Sequence, residues 1–528
     1  MITPGDKMDG ILSLELRARA PLVAFTTLLL CAAWLAPHIR RRRSLAKLPL
    51  YGAELGNYAQ REIAFCKRSV EIYHDSYRKF KNTVYRLTTN DGEKVIIPPA
   101  FLSELRNLPD DEIDNVQPLK QSVESRYTGI MVGDHANFIP HVIRADLTRN
   151  LARINPALCL EAERAVAEAF PPTDDWTSHA VESKLAEVVA TVSGLIFMGP
   201  ERCRDPEYLY PAVHYTKHAM RAVRALKQWP RWLRPLASLF IPELRHAEAH
   251  RARFKRYMTP IVHNRRERMA RGEAVPDDML GWILARAETQ GVADDEMASI
   301  QLGLSMAAIH TTTRAVTHVL FDLAAQPDVI PALREEIRTV ASENGGVMTT
   351  KALFQMKLLD SVLKESQRIN PTGLGRFVRQ VLKPLVLSDG TQIPADTTIE
   401  VAYGSMTKDP AMFPNPEKFD AYRFYRLRTG VDDDSDPKSG ITREQCQFVS
   451  VTSTDMGFGY GRHACPGRFF AANEIKLILA RLLLDYDISM PEGLVGRHEN
   501  KVFSAAVVPK PDAELRFRRT GDGLLVRA

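Results

Sequence analysis

Apolar positions recur at helical spacing over much of the chain. The longest such stretch, residues 294–325, reads "DDEMASIQLGLSMAAIHTTTRAVTHVLFDLAA". Because it is apolar or small on most sides, it predicts a helix running through the interior. Asp294 and Asp295 suit its N-terminal cap and first turn, and "QPD" closes it. Further helices are predicted at about 328–342, 350–369 and 467–484. Between 378 and 403, β-branched residues flank an Asp389-Gly390 turn, the pattern of a small hairpin sheet. Residues 426–455 are polar, carry the acidic run "DDDSD" and lack periodicity, so they are expected to form a surface insertion. The pattern as a whole predicts a mainly α protein with small β-sheets, without an internal repeat.

One segment has a different character. Residues 20–39, "APLVAFTTLLLCAAWLAPHI", hold 20 residues without an acidic or strongly basic side chain, and Arg40 to Arg43 follow at once. At ~1.5 Å per residue such a helix spans a bilayer core of ~30 Å. Basic residues after the apolar run favour a retained anchor over a cleaved signal peptide. Residues 1–43 are therefore expected to be a membrane anchor with its basic flank, single-pass in the endoplasmic reticulum membrane. Residues 44–528 then form one cytosolic catalytic domain, since no Ser/Gly-rich linker divides them. A second apolar stretch, "QWPRWLRPLASLFIPEL" at 228–244, sets Trp229, Trp232, Leu233, Leu236, Leu239 and Phe240 beside Arg231 and Arg234. It fits either a bilayer interface or a buried helix pair.

The net charge of +6 is small for 528 residues and partly local to the N-terminus, which leaves nucleic-acid binding without support. The six cysteines (31, 66, 159, 203, 446 and 465) show no C-x-x-C pair and no zinc-type spacing, so a reducing compartment is expected.

Among them Cys465 has a distinctive setting, "GFGYGRHACPGRFFAANEIKL" at 457–477. A thiolate that ligates a metal needs positive potential and amide N–H groups aimed at its sulfur. Gly459, Gly461 and Gly467 let the backbone turn closely around it, and a helix starting near Gly467 points its positive end toward it.

"FGYGRHACPG" resembles the heme-binding loop of the cytochrome P-450 family, in which the cysteine thiolate is the axial ligand of heme iron. Three further segments resemble the family in the expected order. "ESQR", Glu365 to Arg368, is similar to E-x-x-R and puts both charges on one helix face. "FDAYRF", 419–424, is similar to F-x-P-x-R-F with Tyr422 in place of proline, so Arg423 would join Glu365 and Arg368. "AAIHTT", 307–312, is similar to A/G-G-x-D/E-T-T, with His310 where the family has an acid. That departure resembles a membrane-bound fungal branch including ent-kaurene oxidase-like and indole-diterpene enzymes. The likeness spans about residues 50–510.

The resemblance implies a P-450 fold behind the anchor, heme b on Cys465, and a pocket that includes Phe458, Gly459, Gly467, Ala307 and Ala308. It also implies heme propionates held by His463 and Arg376. Ala307 and Ala308 would open an oxygen groove, Thr311 would assist proton delivery, and Thr312 follows it in the motif. His310, with an imidazole pKa near ~6.5, could pass protons at neutral pH. The implied activity is a monooxygenase acting on C–H bonds of a lipophilic molecule, a terpenoid or meroterpenoid by analogy to the branch. The chain has no flavin or nicotinamide motif, so the implied electron donor is a membrane-bound NADPH-cytochrome reductase, with cytochrome b5 as a second donor, docking on a basic face near Cys465. A heme isomerase or dehydratase of the same fold stays open, as does a non-enzymatic heme carrier or sensor; Thr311 and Thr312 weigh against the isomerase.

Overall fold

The structure is a computed structural model and describes residues 39–131, 135, 137–431 and 441–520, together with residues 25, 26, 29, 35 and 36. The helices that position the site are, in chain order, α1 (Tyr58–Lys79), α2 (Leu151–Ala169), α3 (Val181–Met198), α4 (Pro206–Lys227), α5 (Pro242–Ala270), α6 (Met297–Ala325), α7 (Ile330–Glu343), α8 (Lys357–Ile369) and α9 (Arg468–Asp485). Helix α6 is the long apolar stretch. Residues Asp294–Glu296 form a 3₁₀ turn ahead of it, and the Glu296 carboxylate accepts the Ala293 N–H at 3.0 Å, capping the helix entry from one side. It ends at Gln326, before Pro327. Ile300, Leu304, Ile309, Val316, Leu320 and Phe321 are buried along it, with α3, α4, α5, α8 and α9 packed around.

The stretch expected as one helix at 350–369 is two, Thr350–Gln355 and α8. Met356 breaks it at φ −70°, ψ 79°. Glu336 of α7 caps the second piece, accepting the Leu358 and Leu359 N–H groups at 2.6 and 2.9 Å.

Strands β1 (Tyr85–Thr89), β2 (Gly92–Ile96), β3 (Ile113–Asp114), β4 (Thr177–Ala180), β5 (Arg376–Val381), β6 (Leu385–Val386), β7 (Gln392–Ile393), β8 (Thr397–Val401), β9 (Tyr486–Ser489), β10 (Lys501–Phe503), β11 (Ala506–Val508) and β12 (Glu514–Arg519) form small sheets. The largest has the order β1-β2-β8-β5-β3, antiparallel except at β2-β8. Its apolar face forms a second core with α1 residues such as Phe65 and Tyr73. As expected, Asp389-Gly390 turns the β6-β7 hairpin: Gly390, at φ +85°, donates to the Leu387 carbonyl at 2.8 Å.

The expectation of a surface insertion at 426–455 needs correction. Arg426–Thr429 continue a helix from Arg423, and Ile441, Cys446 and Phe448 are buried. The Phe448 N–H donates to Asp360 of α8 at 3.0 Å, and Lys364 of α8 pairs with Asp455. Polar composition concealed the burial because these contacts are ionic. The acidic run itself lies outside the described residues.

The expected anchor also lies mostly outside the described residues. Among those described, no helix is long and apolar enough to cross a membrane. Between α4 and α5 the apolar stretch turns outward, leaving Trp232 77% and Phe240 73% exposed, so it is not a buried pair. Arg234 differs from its expected place: it is buried and paired with Glu124.

Candidate functional site

The Cys465 loop is built by its own backbone. The Cys465 N–H donates to the Phe458 carbonyl at 2.7 Å, and the Gly459 N–H to the Met456 carbonyl at 2.9 Å. Gly459 and Gly461 sit at φ +78° and +71°, and a Cβ on Gly461 would lie 2.5 Å from the Arg106 carbonyl oxygen, so a side chain there meets both strain and backbone. Gly467 is different: its φ is −87° and a Cβ on it would meet open space. Neither turn geometry nor protein crowding calls for glycine there. Phe458 packs edge-on against Phe448, with ring centroids 5.0 Å apart.

The sulfur lies at the start of α9. Burial pushes the Cys465 thiol up, while the N–H groups of Gly467 and Arg468 and the Arg468 and Arg376 guanidiniums pull it back toward the thiolate. Cys159, Cys203 and Cys446, where burial dominates, a nearby carboxylate (Glu163, Glu161 and Glu444) adds to it and at most one amide opposes it, are pushed up to about 11. The Arg468 guanidinium also donates to the Cys465 carbonyl at 2.9 Å, fixing the loop to the helix.

Beside the loop, β5 supplies cations. Arg376 donates to Thr372 Oγ1 and lies close enough to Cys465 to interact electrostatically, yet its Nε has no partner. Arg379, which the sequence reading passed over, is buried, and its Nε is also unpartnered. Burial pulls Arg379 down to about 10, with Asp110 and Asp114 only partly restoring it. The two arginines are three residues apart, which in a regular strand places them on opposite faces. Here Phe377 sits at φ +53° and the register shifts between Arg376 and Arg379. This bulge re-aims the strand. His463 lies next to Arg379 in the same electrostatic cluster and bonds Asp110 at 2.9 Å; burial and Arg379 hold its pKa below the usual value.

Helix α6 exposes one stripe in an otherwise largely buried helix. Ala307 and Thr311 are exposed and Ala308 is half-buried, while Ile309, His310, Thr312 and Thr313 are buried. Spacing of four residues puts Ala307 and Thr311 on one face. Gly303, one turn earlier, also meets open space. The Thr311 hydroxyl donates to the Ala307 carbonyl at 2.7 Å.

His310 and Thr312 point elsewhere. His310 is buried against α4 and bonds the Val213 carbonyl, with Nε2 unpartnered; burial, then Arg314 and Lys217, push its pKa down to about 3. A neutral-pH relay through His310 does not fit this place, because the ring stays unprotonated and faces away from the open stripe. Thr312 faces Glu474 of α9, whose carboxyl is fully buried, bonded by Ser193 at 2.6 Å and pushed up to about 8 by burial.

The charged network behind the loop has the expected members. Arg368 bonds Glu365 through Nε and Nη2, both at 2.8 Å, and Arg423 Nε reaches the same carboxylate at 3.0 Å. Arg368 also donates to the Thr407 and Pro416 carbonyls at 2.7 and 2.8 Å, tying α8 to the loop segments that follow β8.

These residues fit a heme. A soft donor with two amide groups on its sulfur suits iron, the unpartnered nitrogens of Arg376 and Arg379 are donors in search of anions such as propionates, and the exposed stripe of α6 leaves room.

The comparisons agree. The family model for cytochrome P450 matches residues 138–517. The cytochrome P450 monooxygenase braC of Annulohypoxylon truncatum is 34% identical over 498 residues, 92% of this chain and 95% of the relative. An ent-kaurene oxidase of Gibberella intermedia is 32% identical over 92% of this chain and 91% of its own length. The monooxygenase paxP of Penicillium paxilli is 32% identical over 87% of each. The crystal structure of the cytochrome P450DA heme domain, 16% identical, shares the fold with a TM-score of 0.66 over 89% of this chain and 97% of that one. The chain therefore belongs to the cytochrome P450 family, as a heme-dependent monooxygenase.

Proposed function

We propose that this chain hydroxylates or further oxidises C–H bonds of a terpenoid or meroterpenoid intermediate in fungal secondary metabolism. The observation that carries the chemistry is the Cys465 sulfur held under the Gly467 and Arg468 amides. The substrate class rests on relatives named as ent-kaurene oxidase.

Bound heme supplies the iron at which dioxygen is reduced and one oxygen atom is passed to substrate. Cys465 would hold that iron, and the two amides together with Arg468 would keep the sulfur in its anionic form. Arg376, Arg379 and His463 would hold the propionates, with Phe458, Gly459 and Gly467 lining the sulfur side. The small side chains of Ala307 and Ala308 would leave room along α6 for small reactants. Thr311 moves a proton at Oγ1: its hydroxyl, now donated to the Ala307 carbonyl, turns about χ1 toward the open face.

The exposed Trp229, Trp232, Leu236, Leu239 and Phe240 favour contact with a bilayer. Together with the apolar run at 20–39 and its basic flank, they support our reading of an endoplasmic reticulum membrane protein with its catalytic unit in the cytosol. Electrons would come from an NADPH-cytochrome reductase, with cytochrome b5 as an accessory donor, docking on a basic face near Cys465 that includes the exposed Arg144, close to Arg468.

The test is incubation of chain, reductase and NADPH under ¹⁸O₂ with a panel of terpenoid hydrocarbons. Labelled product, lost in Cys465→Ala together with the thiolate-type Soret band, supports the reading. Product formation by Cys465→Ala, or labelled product from non-terpenoid lipids alone, overturns it.

A further inference from the structure

Four histidines outside the heme site meet between two helices. Helix α4 carries His214 and His218, and α5 carries His246 and His250. Each pair is four residues apart, which puts both rings on one helix face. The helices pack side by side and the rings interleave. The His218 and His250 centroids are 5.0 Å apart, those of His218 and His246 5.3 Å, and those of His214 and His250 6.3 Å.

The nitrogens are already close to ligand spacing. His218 Nδ1 and His250 Nε2 lie 3.1 Å apart. Two donors at about 2.0–2.1 Å from a tetrahedral ion stand roughly 3.3 Å from each other. An ion between them would take the place of the proton they share. It would also displace the bond of His218 Nδ1 to the His214 carbonyl, now 3.1 Å.

Protons compete weakly here. Burial, then the neighbouring imidazoles, push His250 down to about 4, and burial lowers His218 as well. Both rings are neutral at pH 7 and offer lone pairs to a cation. Arg221 and Arg253 oppose a positive ion, but Glu207 neutralises Arg253 at 2.6 Å; Glu248 on the helix of His246 is already held by Arg251 at 2.7 Å. Among the described residues no three donors already converge on one point. His246 is exposed, so its ring is free to turn toward the pair. Imidazole donors without a carboxylate select zinc or copper over magnesium or calcium.

We propose that His218, His246 and His250, with His214 at the edge, form a site for one divalent transition-metal ion of the zinc or copper type that bridges α4 and α5.

The experiment is calorimetric titration of ZnCl₂ into the heme-loaded, untagged full chain after chelator treatment. One Zn²⁺ per chain is expected, with affinity lowered about tenfold or more in His218→Gln and in His246→Gln, and unchanged in His263→Gln, on α5 but outside the cluster. His246 is exposed, so its variant should fold, and an unaltered carbon monoxide spectrum verifies this for each protein. Absence of stoichiometric binding, or equal affinity in the His218→Gln/His246→Gln double variant, overturns the site.

Discussion

Replacing Arg379 by methionine tests how the site holds its cofactor. Arg379 is 7% exposed, stacks its guanidinium 4.5 Å from the Phe377 ring and spends one donor on the neighbouring Val378 carbonyl at 2.8 Å. Its Nε has no partner, and Asp110, the nearest strong anion, is already held by His463 at 2.9 Å and Arg462 at 3.6 Å. Burial has pulled this arginine from its ordinary 12.5 to about 10. Keeping it charged at pH 7 with only the partial help of Asp110 and Asp114 therefore costs about 3 kcal/mol. A propionate that pairs with it recovers much of that, and a hydrogen bond to a charged group is separately worth about 1.5–3 kcal/mol. These are two views of the same contact, so they are not added. Methionine matches the length of the stem and removes the charge, so heme affinity should fall by roughly 10- to 100-fold at about 1.4 kcal/mol per decade. The assay is the rate of heme transfer from the loaded protein to excess apomyoglobin. Arg379→Lys should be intermediate, because an ammonium keeps the charge but loses the planar fork. The thiolate-type carbon monoxide spectrum should persist in freshly loaded Arg379→Met, since Cys465 is untouched. Heme loss within about twofold of the unaltered protein would refute the argument that β5 aims this cation at a propionate.

Thr311→Ala should leave the thiolate-type spectrum intact and lower product formed per NADPH, with more peroxide released; unchanged coupling would reduce Thr311 to a packing residue. His310 has a folded pKa of about 3 against about 6.5 when unfolded, so the unfolded chain binds its proton first and stability contributed by the neutral ring is lost as pH falls from about 6.5 toward 3. His310→Gln should flatten that acid slope by up to about 1.4 kcal/mol per pH unit in urea titrations and leave the pH profile of coupling between 6 and 8 unmoved. Glu365→Gln leaves Arg368 and Arg423 buried with one carboxylate fewer, so the urea midpoint should drop by the equivalent of about 3–5 kcal/mol; an unmoved midpoint would show the network to be slack.

The sequence by itself determined the elements whose signals are local. The period of α6, the Asp389-Gly390 hairpin and the loop around Cys465 each depend on residues within a few positions of one another, and each formed where the pattern placed it. The pairing of Glu365 with Arg368 was legible as well, because their i, i+3 spacing sets it, whereas Arg423 was assigned to the same network only by its resemblance to a family motif. Only the tertiary structure decided which side of an element faces the site. Neighbouring residues Thr311 and Thr312 read alike, but one lies on the open stripe and the other faces the buried Glu474. His310 reads as a neutral-pH base until its burial against α4 is known. Arg379 was hidden because strand alternation assigns it away from Arg376, and a single left-handed residue, Phe377, reverses that assignment. The histidine cluster was invisible for a related reason: its two halves are i, i+4 pairs on helices whose contact no local pattern announces. Periodicity fixes a side chain's direction relative to its own element, whereas burial, charge and partners depend on what packs against it.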